Sequence, residues 1–110
     1  MKKEKYMKGG NTVIEYFASD ALAKAKRAES EQFLDIKERI MADIKSSFNK
    51  GKTFVHHFVD NHYQYLFPYI SKWLEDLGYT VTYEEEIDYN LNFTGYHKFI
   101  IDWSEPTDER

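Results

Sequence analysis

Apolar positions recur at helical spacing through the first half of the chain and alternate with polar ones toward its end. Val13, Ile14, Phe17, Ala18, Ala21, Leu22, Ala25 and Ala28 follow one another every three or four residues, which predicts a helix from Thr12 to Ala28 capped by Asn11-Thr12. From Ser30 the stripe strengthens: Phe33, Ile36, Ile40, Ile44 and Phe48 share a face, and Asn49-Lys50-Gly51 supplies a stop. Neither Gly nor Pro occurs from Asn11 to Lys50. The stripe therefore reads either as two helices meeting near Ser30 or as one; we read two.

Thr53–Val59 is short, aromatic and β-branched, a strand pattern. Asp60-Asn61 then caps a helix that runs to Leu77, with Leu66, Ile70, Trp73, Leu74 and Leu77 inward and Gly78 as its close. Pro68 lies inside this stretch, so the helix bends there or begins later than Asp60. Tyr79, Val81, Tyr83, Ile87 and Tyr89 alternate with Thr80, Thr82, Glu84, Glu86 and Asp88, a strand with one wet face. Glu85 falls on the apolar side, where that side runs past the core edge. Asn90–Gly95 reads as a loop, and His97, Phe99, Ile101 and Trp103 as the apolar side of a return strand. The order is α-α-β-α-β-β. An antiparallel pair with one polar face needs helix on the other, so the expected fold is two-layer α+β: a small, mainly antiparallel sheet ending in a β-hairpin, with helices on one face. Residues 1–10 read as a flexible tail, 11–103 as one domain and 104–110 as a polar tail.

The 110 residues include no cysteine, which excludes disulfides, thiolate metal sites and cysteine nucleophiles. No run of apolar residues is long enough to span a bilayer, and no apolar segment follows the charged start as in a secretory signal. A cytoplasmic location is the expectation. Aromatics form 17% of the chain and concentrate from Phe48 to Trp103, enough to build a core from few residues. Charge is uneven: residues 1–52 hold 12 Lys and Arg against 8 Asp and Glu, whereas the remainder holds 3 against 11. Such asymmetry suits an anionic partner or two copies placed head to tail, and equally two solvated helices beside an acidic hairpin.

Candidate chemistry is sparse. His57, Asp60 and His62 are the best metal-ligand set, although alternation along a strand sends the neighbouring His56 to the opposite face and no HExxH spacing is present. Glu84, Glu86 and Asp88 fall on the wet face of their strand, where carboxylates are screened and suit acid–base work poorly. A row of carboxylates does imitate a nucleic-acid backbone, and with Leu91 and Phe93 on the adjoining loop it forms a candidate partner-binding surface. Gly51-Lys52-Thr53 lacks the upstream glycine of a phosphate loop. Lys24, Lys26 and Arg27 are diluted by Glu29, Glu31 and Asp35, so nucleic acid is a weak candidate partner. Ile14, Ala18, Ala21, Ala25 and Ala28 approximate the seam of a helix pair and form a candidate self-association surface.

An Ile-rich helix ending at Gly51-Lys52, a helix closing in Leu77-Gly78-Tyr79-Thr80-Val81, and a last strand Ile100-Ile101-Asp102-Trp103 resemble a loose class of short bacteriophage proteins. In that class serine is usual where Asp102 stands. The resemblance spans residues 36–103, marks core and turn positions, and implies a fold without catalytic residues. It also implies virion or host-directed roles, in the host cytoplasm or the virion. The expectation is a non-catalytic protein without cofactor, acting through protein contacts and most simply as a self-associating structural or assembly component. Alternatives are a host-directed inhibitor using the acidic hairpin, and a metal protein or enzyme using His57, Asp60 and His62.

Overall fold

The computed structural model describes residues 2–6 and 12–108, and the chain separates into two units between Asp35 and Ile36. In the first unit, strand β1 (Lys2–Tyr6) pairs antiparallel with β2 (Thr12–Tyr16), Lys2 opposite Tyr16 and Tyr6 opposite Thr12. Helix α1 (Ala18–Asn49) follows, and the Phe17 carbonyl accepts the N–H groups of Asp20 and Ala21, both at 3.1 Å. Asp20 lies in the first turn, where the helix dipole favours an anion. Lys24 Nζ stands 5.4 Å from the centre of the Tyr16 ring, tying strand to helix within this unit.

Three expectations are corrected here. The helix expected from Thr12 begins at Ala18, because Val13, Ile14 and Tyr16 are β-branched and aromatic residues that fit a ribbon better than a helix. Lys2–Tyr6, expected as tail, is the strand that pairs with them. No break occurs near Ser30: without Gly or Pro to interrupt it, α1 continues for 32 residues. Residues 1 and 7–10 of the expected first tail, and 109–110 of the last, lie outside the described residues.

The second unit contains the end of α1, β3 (Phe54–Asp60), a 3₁₀ segment (Asn61–Leu66), α2 (Phe67–Asp76), β4 (Thr80–Ile87) and β5 (Phe93–Asp102). The sheet is antiparallel in the order β3-β5-β4 and ends in the β4–β5 hairpin. The α+β class is as the sequence implies. Alternation assigns the faces: Val59, His97, Phe99 and Ile101 are buried, whereas Phe54, His56 and Phe58 are exposed. Both helices lie on the buried face, since α1 bonds His57 through Asp43 and α2 packs Phe67 on Phe99 and His97. Ile36, Ile40 and Ile44 of α1 join Leu66, Phe67, Ile70 and Leu74 in the core. Among the described residues no helix is long and apolar enough to cross a membrane.

Asp60 caps the 3₁₀ segment, accepting the His62 N–H at 2.7 Å. The expected helix begins later than Asp60, at Phe67, with Pro68 in its first turn, where a missing N–H costs nothing. Both helix stops in this unit have one geometry. Lys52 N–H bonds Ser47 O (3.0 Å) around Gly51 N–H to Phe48 O (3.0 Å). Tyr79 N–H bonds Leu74 O (3.1 Å) around Gly78 N–H to Glu75 O (2.9 Å). This nested pair places the glycine in the left-handed region, at φ 77° for Gly51 and 99° for Gly78. Beyond β5 the chain turns back: Asp102 Oδ1 accepts Ser104 N–H (2.7 Å) and Oγ–H (2.6 Å), and Thr107 N–H reaches Gly78 O at 3.0 Å.

The two glycines part on substitution. Gly51→Ala meets only open space and should lose about 1 kcal/mol in chemical denaturation, the cost of the left-handed conformation. Gly78→Ala places a Cβ 2.5 Å from Asp108 Oδ1 and 2.6 Å from Asp108 N, so it should lose roughly 1–3 kcal/mol more by overpacking. The Ser104 hydrogen bonds hold the Asp102 carboxyl below the ordinary carboxylate value. An NMR titration should show that value rising toward the ordinary one in Ser104→Ala.

Candidate functional site

Register decides what the acidic strand presents. Glu84 stands opposite Lys98, and Lys98 Nζ lies 3.2 Å from Glu84 Oε1 on the open face of the sheet. The ladder slips between Glu85 and Ile87, so Glu86 sits at the irregularity, half-buried, its carbonyl accepting the Thr94 hydroxyl at 3.3 Å. Asp88 builds the turn: Oδ1 accepts the N–H groups of Asn90 (2.8 Å) and Asn92 (3.0 Å). Glu84, Glu86 and Asp88 therefore form no uniform row of solvated carboxylates. Phe93 opens β5 opposite Ile87 and sets its ring edge against His97, at 5.5 Å and 72°.

The expected loop over Asn90–Gly95 is shorter, because Phe93–Gly95 already belongs to β5. Asp88 N–H bonds Asn92 O and Leu91 N–H bonds Asp88 O, both at 2.9 Å, leaving Tyr89, Asn90 and Leu91 as a three-residue tip. Such loops end in a left-handed residue, usually glycine. Here Leu91 occupies that conformation at φ 65°. Leu91 is 84% exposed and its neighbour Tyr89 94% exposed. The strand pattern assigns Tyr89 to the apolar side; the turn imposed by Asp88 carries it into solvent instead.

The histidines are drawn apart. His57 Nδ1 is hydrogen-bonded to Asp43 Oδ2 of α1, Asp60 caps the 3₁₀ segment, and His62 is exposed. Among the described residues no three His, Cys, Asp or Glu side chains are placed to hold a metal ion. His97, on the apolar side of β5, is buried with Nε2 2.8 Å from Asn61 Oδ1; an amide oxygen only accepts, so Nε2 carries the proton.

The proposed seam is split between two elements. Ile14 lies on β2, and Ala18, Ala21, Ala25 and Ala28 lie on the first half of α1. All five are exposed, as are Phe17 and Leu22, and no described side chain from Val13 to Asp35 is buried.

Sequence reasoning missed a cavity of about 430 Å³ in the second unit. Its walls come from separated segments: Met41, Ile44 and Phe48 of α1, Leu77–Tyr79 after α2, and Trp103, Pro106 and Asp108 beyond β5. Tyr79 and Trp103 meet edge to face at 6.0 Å. Burial, and then the Asp108 charge, raise the Tyr79 phenol above its ordinary value. Only the density of aromatics near Tyr79 and Trp103 hinted at this place.

Replacing Leu91 by Gly removes the left-handed penalty without removing a buried contact, so it should stabilise the protein by about 1 kcal/mol in denaturant unfolding. No family model matches the chain, and neither a curated protein nor a solved structure was found to be similar to it.

Proposed function

We propose that this is a non-catalytic, self-associating protein of the structural or assembly kind, and that its first unit is the surface on which a second copy docks. One observation carries the reading: from Val13 to Asp35 secondary structure is continuous apart from Phe17, yet no described side chain is buried. A two-stranded ribbon is marginal alone, and helices draw most of their stability from packing one face. Phe17 and Leu22, 54% and 57% exposed, lie beside the alanines and supply apolar area that an association would cover.

Charge argues for a second copy as the occupant. Residues 18–27 carry Lys24, Lys26 and Arg27 against Asp20, whereas residues 28–35 carry Glu29, Glu31 and Asp35. Two such helices laid antiparallel bring the basic stretch of each to the acidic stretch of the other. Small alanine side chains allow close approach, as in a helix-pair seam. The phage resemblance of residues 36–103 agrees with an assembly role. A second reading, contact with a different protein through the hairpin tip, is favoured by the exposure of Tyr89 and the strained Leu91.

Analytical ultracentrifugation separates the readings. The protein should be a dimer or larger, weakening as salt rises toward 1 M and the Debye length falls to about 3 Å. Ala21→Glu with Ala25→Glu should give a monomer whose second unit melts unchanged, because both positions are exposed. Tyr89→Ser with Leu91→Gly should leave the association intact. A wild-type protein that stays monomeric at millimolar concentration rules the first reading out.

A further inference from the structure

We infer that β3 is a second self-association edge, along which two copies pair antiparallel about a two-fold axis at His56 and join their sheets into one. Among the described residues β3 has a strand on one side only, since the sheet order is β3-β5-β4. Trp103 N–H bonds Thr53 O at 2.8 Å, which makes Thr53 and Trp103 a hydrogen-bonded pair. Such pairs alternate with unbonded ones along an antiparallel ladder. Val55, His57 and Val59 therefore turn their backbone groups toward β5, whereas Phe54, His56, Phe58 and Asp60 turn theirs to the free edge.

The two edges of the sheet differ. β4 carries Glu84, Glu85 and Glu86 and a slip in its register, features that discourage a further strand. β3 runs seven residues without lysine, proline or a slip. Its outward residues Phe54 and Phe58 are 45% and 47% exposed, so apolar area lies along the edge that is open. Main-chain groups there accept any extended partner, and side chains choose among them.

Self-complementarity selects a second copy. With His56 opposite His56 of the second copy, Phe54 stands opposite Phe58 and Phe58 opposite Phe54, aromatic cross-strand pairs on the open face. The same register sets Lys52, just before the strand, opposite Asp60, an opposite-charge pair that the two-fold axis repeats. Asp60 accepts the His62 N–H through Oδ1, so Oδ2 can take the lysine. β4 offers no such register, since its charges are all of one sign. The contact rests on the first-unit association proposed above. A dimer formed there carries two β3 edges, so a pairing too short to hold single chains together still links dimers.

The chain has no cysteine, so single cysteines report the register directly. Sedimentation of the full chain at millimolar concentration should show species larger than the dimer. His56→Cys should link to its own copy when oxidised glutathione takes up the electrons of the two thiols, since opposite Cα atoms of a hydrogen-bonded pair lie about 5.5 Å apart. Phe54→Cys alone should link at least about tenfold more slowly, its two cysteines standing roughly 14 Å apart along the strands, and should link readily when mixed with Phe58→Cys. His56→Lys sets two cations together at the axis and should lose every species above the dimer, with unchanged melting because the position is exposed. Dimers that form nothing larger, larger species that persist in His56→Lys, or His56→Cys linking no faster than Phe54→Cys each overturn the pairing and leave the first-unit surface standing. A monomeric wild type overturns both.

Discussion

The second unit is organised around one ring. Phe67 meets Phe99 edge to face at 5.0 Å, His97 at 4.8 Å and Tyr83 at 5.4 Å, and Tyr83 stacks on Phe99 at 4.9 Å. Each such pair contributes about 0.5–1.5 kcal/mol beyond the area it buries. Position matters more than the sum. Phe67 is the first residue of α2, and its neighbours come from β4 and the central strand β5, so this one side chain fixes where the helix starts against the sheet. Polar contacts set its height: Asp60 caps the 3₁₀ segment, and Asn61 holds His97 across to β5. With α2 so placed, Ile70 and Leu74 reach the core and Trp73 lies 5.2 Å beneath Lys37 of α1.

Helix α1 experiences two environments along one hydrogen-bond ladder. From Ile36 it buries Ile36, Ile40, Ile44 and Ser47, and Asp43 bonds His57. Before Ile36 no side chain of α1 is fully buried, Asp20, Gln32 and Phe33 being half-buried, and the helix relies more on alanine propensity, which favours it without anchoring it. Free energies of local opening follow such differences in burial. The second half of α1 shares the stability of its unit, whereas the first half gains comparable protection only when its face is covered.

Local chemistry was legible in the sequence, and pairing across the chain was not. Gly51 and Gly78 announce helix stops because few other residues adopt their conformation, and Asp60 announces a cap because its side chain serves the next turn. The strands over β3, β4 and β5 follow from alternation. Pairing of Lys2–Tyr6 with Thr12–Tyr16 depends on a register that no periodicity encodes, and Val13, Ile14 and Phe17 satisfy helical spacing equally well. The left-handed residue of the hairpin was hidden because leucine, not glycine, holds it. The cavity was hidden for another reason: its walls come from α1, the α2–β4 turn and the end of the chain, and only packing brings them together.

The groups that drew attention as chemistry mostly serve architecture. His57 is engaged by Asp43, His97 by Asn61, Asp60 by a backbone N–H, Asp88 by its own turn, Glu84 by Lys98 and Asp102 by Ser104. Each bond fixes the orientation of a side chain within the fold. The outward surface shows the converse, with Phe17, Leu22, Phe48, Leu77, Tyr89 and Leu91 all exposed. Exposed apolar side chains gathered at a helix face, a cavity mouth and a hairpin tip gain free energy only by being covered. Polar groups therefore shape this fold, while these apolar ones stand at its surface.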